Sequence, residues 1–159
     1  GEAGTCVAFS ADGKLLASGS QVRGEVRIVQ MSDGAVIRTL SGHAEAVWAL
    51  AFSGDGKLLA SGAGMEIRLW RAADGGLLSV VKGHENAVTC LAFSPDGGVF
   101  ASGSRDNTVR LWRVPDGKLA ATLKGHLREV NGVAFSPDGT ILASGSGDGT
   151  VRLWAVPAD

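Results

Sequence analysis

The phrase SGSRDNTVRLW, residues 102–112, returns 42 positions later as SGSGDGTVRLW, residues 144–154. Each copy carries a serine, an aspartate and a tryptophan, and Gly-His dipeptides at Gly83 and Gly125 precede them. Serine, histidine and aspartate together are the components of acyl transfer, in which an imidazole takes the proton of an attacking hydroxyl. Two features weigh against that chemistry. An active site normally occurs once, whereas this set is supplied in duplicate. A nucleophilic serine sits exposed on a sharp turn beside an oxyanion hole, whereas Ser102 and Ser144 fall inside segments that read as strands.

The other reactive side chains are no better grouped. His43, His84 and His126 each follow a glycine at the same place in successive repeats, which spreads them apart instead of gathering them as metal ligands. The run GSGDG at 145–149 has the glycine content of a phosphate cradle but lacks the strand-to-helix setting, and reads as a hairpin turn. No cofactor and no metal is expected. Cys6 and Cys90 stand three residues before Phe9 and Phe93, in a slot that Ala49 and Gly132 fill elsewhere. A slot that accepts Cys, Ala and Gly is small and buried. Equivalent slots two repeats apart lie too far from one another for a disulfide, which needs Cα atoms within about 7 Å, so both are expected as core thiols.

Composition narrows the field further. Fifteen Lys and Arg face 16 Asp and Glu over 159 residues, a net charge of −1. That balance offers no general attraction to nucleic acid or an anionic membrane, and neither is expected as a partner. The longest apolar run, Ala46 to Phe52, is far shorter than the roughly 20 residues a spanning helix needs. No secretory signal pattern opens the chain, and a cytoplasmic location is expected. The chain begins with Gly1 and reads as trimmed, or as a piece of something longer, so the missing signal carries little weight. Charged residues make up 19%, below the roughly 25% usual for soluble domains. The surface should therefore be small, or part of it covered by something.

The elements that position these residues come in four copies. FSADG, FSGDG, FSPDG and FSPDG begin at Phe9, Phe52, Phe93 and Phe135, at steps of 43, 41 and 42 residues. LASGS-type segments follow each, and then VRIV, IRLW, VRLW and VRLW. The copies span about 1–41, 42–82, 83–124 and 125–159, within a single domain over 1–159. Each reads as four short strands joined by Asp-Gly turns, the first nearly all apolar as in a strand covered on both faces. No segment keeps a helical period. The fold class is all-β and antiparallel within each copy. One such sheet cannot bury both faces alone, so the copies must stack, and radial stacking gives a β-propeller.

The series Gly-His, Phe-Ser-Pro-Asp-Gly and Ser-Gly-Ser-x-Asp-x-Thr-Val-Arg-Leu-Trp resembles the WD-repeat β-propeller family over essentially the whole chain. The aspartate that follows Trp in that family is Arg71, Arg113 and Ala155 here, and Val29 replaces the first Trp. The turn before the third strand is one residue longer in the first copy and one shorter in the second (AGMEI), each without the turn aspartate. The resemblance implies a hydrogen-bonded tetrad per blade. It maps to His84, Ser102, Asp106 and Trp112 in the third copy, and to His126, Ser144, Asp148 and Trp154 in the fourth. The second copy keeps His43, Ser61 and Trp70; the first keeps only Ser18. A buried Trp N–H needs a partner, which the Ser hydroxyl backed by His and Asp supplies, so these sets are structural and the chain is not an enzyme.

The resemblance also places partner contacts at the exposed end of each innermost strand and before the turn aspartate. Carried over, those positions are Ala3 and Thr5, Ala46 and Trp48, Ala87 and Thr89, Glu129 and Asn131, with Arg105 and Gly147. The strongest candidates are Trp48, Thr89, Arg105, Glu129 and Asn131, and Trp48 is the one tryptophan outside the third-strand slot. The expected function is a non-enzymatic interaction scaffold for a protein or peptide partner. The last blade should lack its outer strand. The resemblance implies closure with about seven or eight blades, at the upper end of the range propellers adopt, so four are expected to form half of an eight-bladed ring completed by a second copy, a homodimer. A fragment of a longer array and a closed four-bladed monomer, which needs much steeper wedges, are the competing arrangements. The alternative is a self-assembling structural unit, or a fragment of a longer WD-repeat signalling or effector protein, with no partner of its own.

Overall fold

A computed structural model describes residues 4–22 and 24–156. Blade one comprises β1 (Gly4–Phe9), β2 (Leu15–Ser20), β3 (Val26–Gln30) and β4 (Val36–Leu40). Blade two comprises β5 (Val47–Phe52), β6 (Leu58–Ala63), β7 (Glu66–Arg71) and β8 (Leu77–Lys82). Blade three is β9 (Val88–Phe93), β10 (Val99–Ser104), β11 (Thr108–Arg113) and β12 (Leu119–Lys124). Blade four is β13 (Val130–Phe135), β14 (Ile141–Ser146) and β15 (Val151–Ala155). Each is an antiparallel meander in sequence order, and no helix occurs among the described residues.

The turn between the first two strands repeats its chemistry in every blade. Ser10, Ser53, Ser94 and Ser136 donate their hydroxyls to Asp12, Asp55, Asp96 and Asp138 over 2.5–2.7 Å. Those carboxylates accept a backbone N–H two residues on, which ties the reversal shut before any tertiary contact forms.

The core is divided into three seams between blades. Val26 and Ile28 of blade one pack against Leu59 and Trp70 of blade two. Ile67 and Leu69 then meet Phe100 and Trp112, and Val109 and Leu111 meet Leu142, with Trp154 partly buried beside them. Each blade thus offers a trailing face, from its third strand, to the leading face of the next. The glycine of each Ser-Gly-Ser/Ala segment lets the sheets close up: a Cβ on Gly103 would lie 2.6 Å from Val130 Cγ1 across the seam. Gly19 and Gly62 face Val47 and Val88 in the same way, while nothing lies within 4 Å of the corresponding point at Gly145.

The outermost faces lack this cover. Val109 and Leu111 are 0% and 2% exposed, whereas Val151 and Leu153, in the same slots of blade four, are 72% and 68% exposed. On blade one, Val7 and Phe9 of the leading face are 65% and 59% exposed.

Three local expectations are modified. The inner strands β9 and β13 are largely half-buried, because their inner edges have no hydrogen-bonded neighbour. Trp154 is only partly buried, since no strand pairs with the outer edge of β15 among the described residues. Cys6 and Cys90 are half-buried thiols, not fully enclosed ones, and no disulfide joins them.

Candidate functional site

One end of every blade gathers the start of its first and third strands and the end of its second. In blade three that loop face holds a complete relay. The Trp112 indole N–H donates to Ser102 Oγ at 2.7 Å, and Ser102 Oγ lies 2.7 Å from His84 Nε2. His84 Nδ1 lies 2.7 Å from Asp106 Oδ2, which also accepts the Glu85 N–H at 3.0 Å. Thr108 secures the other carboxylate oxygen through both its hydroxyl and its N–H. Blade four repeats the set with Trp154, Ser144, His126 and Asp148 at 2.8, 2.8 and 3.0 Å.

The hydrogens account for the whole chain of bonds. With His84 Nδ1–H donating to the carboxylate, Nε2 accepts the Ser102 O–H, and Ser102 Oγ accepts from Trp112. Burial pushes the His84 imidazole below its ordinary value, against the opposing pull of Asp106. Burial would raise Asp106, but hydrogen bonds from Thr108, the Glu85 N–H and His84 outweigh it and hold the carboxyl at about 2. Asp148 is likewise lowered, chiefly by its bond from Thr150. Ser102 is fully buried and Ser144 nearly so. Neither hydroxyl is presented to a substrate, and both are already committed on two sides.

Blade two holds a truncated relay. Trp70 donates to Ser61 at 2.8 Å and Ser61 meets His43 Nε2 at 2.7 Å. The shortened turn supplies no aspartate, and His43 Nδ1 is buried without a hydrogen-bond partner. In blade one, Ser18 stands opposite Arg27 on β3, with Val29 in the tryptophan slot.

The candidate contact residues fall closer to the centre of the loop face. The innermost strands of blades two to four each carry a β-bulge, and the residues skipped by the pairing are Trp48, Thr89 and Asn131. A bulge re-aims a side chain out of the regular alternation. Trp48, Thr89, Asn131 and Arg105 together line a depression of about 180 Å³. Trp48 is 46% exposed there. Glu129 does not line it; its carbonyl accepts the Gly147 N–H at 2.9 Å on the next turn. Ala3 lies outside the described residues. A separate cavity lies beside His43, and its one signal in the sequence is the residue missing from AGMEI.

Antiparallel meanders of four, four, four and three strands, packed face to face along three seams and sharing one loop face, define a segment of β-propeller. The family described as WD domain, G-beta repeat matches residues 5–28, 34–71, 75–113 and 117–155, and the chain belongs to that family. A comparison with curated proteins found no match. Proteins of the WD-repeat family are generally non-enzymatic scaffolds for protein interaction. No helix among the described residues is long and apolar enough to cross a membrane.

Proposed function

We propose that this chain is a non-enzymatic cytoplasmic scaffold that receives a protein or peptide segment on its loop face. The observation that carries this reading is the depression that unites Trp48, Thr89, Asn131 and Arg105. A half-exposed indole beside a guanidinium is the combination favoured at interaction hot spots, and three of the four side chains are aimed there by bulges. The carboxylates and imidazoles of the two complete tetrads are engaged in structure, and the described residues that line the depression present no carboxylate or imidazole. Two thiols that form no disulfide suit a reducing compartment. Selection of peptides from a random display library tests the reading. Enrichment should occur on the native chain and vanish on the Trp48→Ala, Arg105→Ala double variant with its circular dichroism unchanged; equal enrichment on both discards it.

A second reading concerns assembly, and the bare end faces favour it. We propose that a second copy closes the arc, giving eight blades. The leading face of blade one and the trailing face of blade four are the two halves of a seam that the chain already makes three times. Whole copies of four blades cannot make seven. Light scattering at micromolar concentration should return twice the chain mass, and a monomer mass removes the ring.

A further inference from the structure

The cavity in blade two, about 330 Å³, lies where the other blades keep their turn aspartate. His43, Glu66, Arg68 and Lys82 line it, with Ala44 at the same chain position as Glu85. In blades three and four, the carboxylate at this place accepts from His Nδ1 and from the N–H of the residue after the histidine. In blade two the shortened turn removes the acceptor and leaves the donor.

Ser61 Oγ accepts from Trp70, and among the described contacts His43 Nε2 is the acceptor within reach of the Ser61 proton, so the Ser61 O–H donates to Nε2. The proton of the neutral ring therefore sits on Nδ1, whose side chain is only 1% exposed. A buried N–H without an acceptor forfeits the hydrogen bond that water would have given it. It calls for an oxygen and repels a metal ion. Glu66 stands nearest, at 3.6 Å, beyond hydrogen-bond range, and its Oε1 is bound to Arg68 Nε at 2.7 Å. Lys82 Nζ lies 3.8 Å from the other Glu66 oxygen and is itself largely exposed. Arg68 and Lys82 thus balance Glu66 and Glu45, whose carboxylate also lines the cavity, so an incoming carboxylate meets no net charge of its own sign.

We propose that blade two binds a carboxylate in trans, which completes its tetrad by accepting the His43 Nδ1–H. The site is distinct from the Trp48 depression and does not depend on it. The carboxylate comes either from a small free acid or from an aspartate of a partner peptide, and two probes separate these sources: acetate, and the blocked tripeptide acetyl-Gly-Asp-Gly-amide, which copies Gly147–Gly149. Proton NMR reads the outcome in chloride buffer. His84 and His126 should give two downfield Nδ1–H signals, held by their aspartates. A third should grow saturably as a probe is added, with acetamide and the Asn tripeptide without effect. The probe that saturates at the lower concentration identifies the source. Absence of a third signal with both probes, or three signals before any is added, overturns the proposal, since water or Glu66 then fills the place. Replacing Ala63–Glu66 with the sequence of Ser146–Thr150 should fix a third signal permanently and abolish the response. A response that survives this graft also overturns it, and the titration of the native chain decides the matter if the graft does not fold. Loss of peptide selection at Trp48 would leave this result untouched.

Discussion

Trp112 Nε1 donates to Ser102 Oγ at 2.7 Å from the neighbouring strand, and both side chains are withdrawn from water. The pair ties the third strand of blade three to its second while filling the seam with blade two. Trp112→Ala removes a large apolar body together with this anchor, and is expected to cost roughly 3–5 kcal/mol. Trp154→Ala, at a partly buried position, should cost about half as much. Urea unfolding of the two variants checks both the size and the order.

Ser102→Ala separates carpentry from chemistry. The substitution leaves the Trp112 N–H and His84 Nε2 without their shared partner, a loss of roughly 2–3 kcal/mol. Stability should fall while peptide binding at the Trp48 depression persists. An unchanged urea midpoint would contradict the bonding described.

Acid should weaken the fold before any aspartate titrates. Burial, reinforced by the nearby Arg68 guanidinium and partly opposed by Glu66, pushes His43 from 6.5 down to about 4. Between those values the unfolded chain binds more protons than the folded one, so stability rises with pH and is lost as pH falls through that window. The contribution of Asp106, lowered from 3.8 to about 2, is present above 3.8 and lost only as pH falls below it. The urea midpoint should therefore drop between about pH 7 and about pH 4.5, and His43→Gln should flatten part of that drop. A native midpoint that stays level over this range refutes the assignment.

Two glycines in equivalent slots should respond differently to the same change. Gly103→Ala drives a methyl into Val130 across a closed seam and should cost roughly 1–3 kcal/mol. Gly145→Ala meets nothing within 4 Å and should stay within about 0.5 kcal/mol in thermal melts of dilute protein. If a second copy covers that face, the same variant weakens association in light scattering.

The sequence carried the repeating part of this structure far better than its exceptions. Period, turn chemistry and the tetrad positions were legible because Phe-Ser-x-Asp-Gly and Ser-Gly-Ser recur with the same neighbours each time. The unequal fates of Trp112 and Trp154 were not, since their local sequences match and only the flanking strand differs. The bulges at Trp48, Thr89 and Asn131 leave no residue-type signature, because a pairing slip depends on the partner strand. His43 looked like an incomplete copy of His84. That its lost aspartate leaves an unpaired donor facing a cavity depends on the Glu66–Arg68 bond, which spans positions the repeat pattern does not compare.

The glycine in the second strand of each blade has a consequence for how damage spreads. Cohesion in this chain resides at junctions, so a lesion inside one sheet is felt by the sheets adjoining it and goes no further. Melting should begin at the two ends and travel inward, leaving the middle pair of sheets as the last protected region. An injury at the Ile67–Phe100 junction would instead split the molecule into two halves of unequal sturdiness.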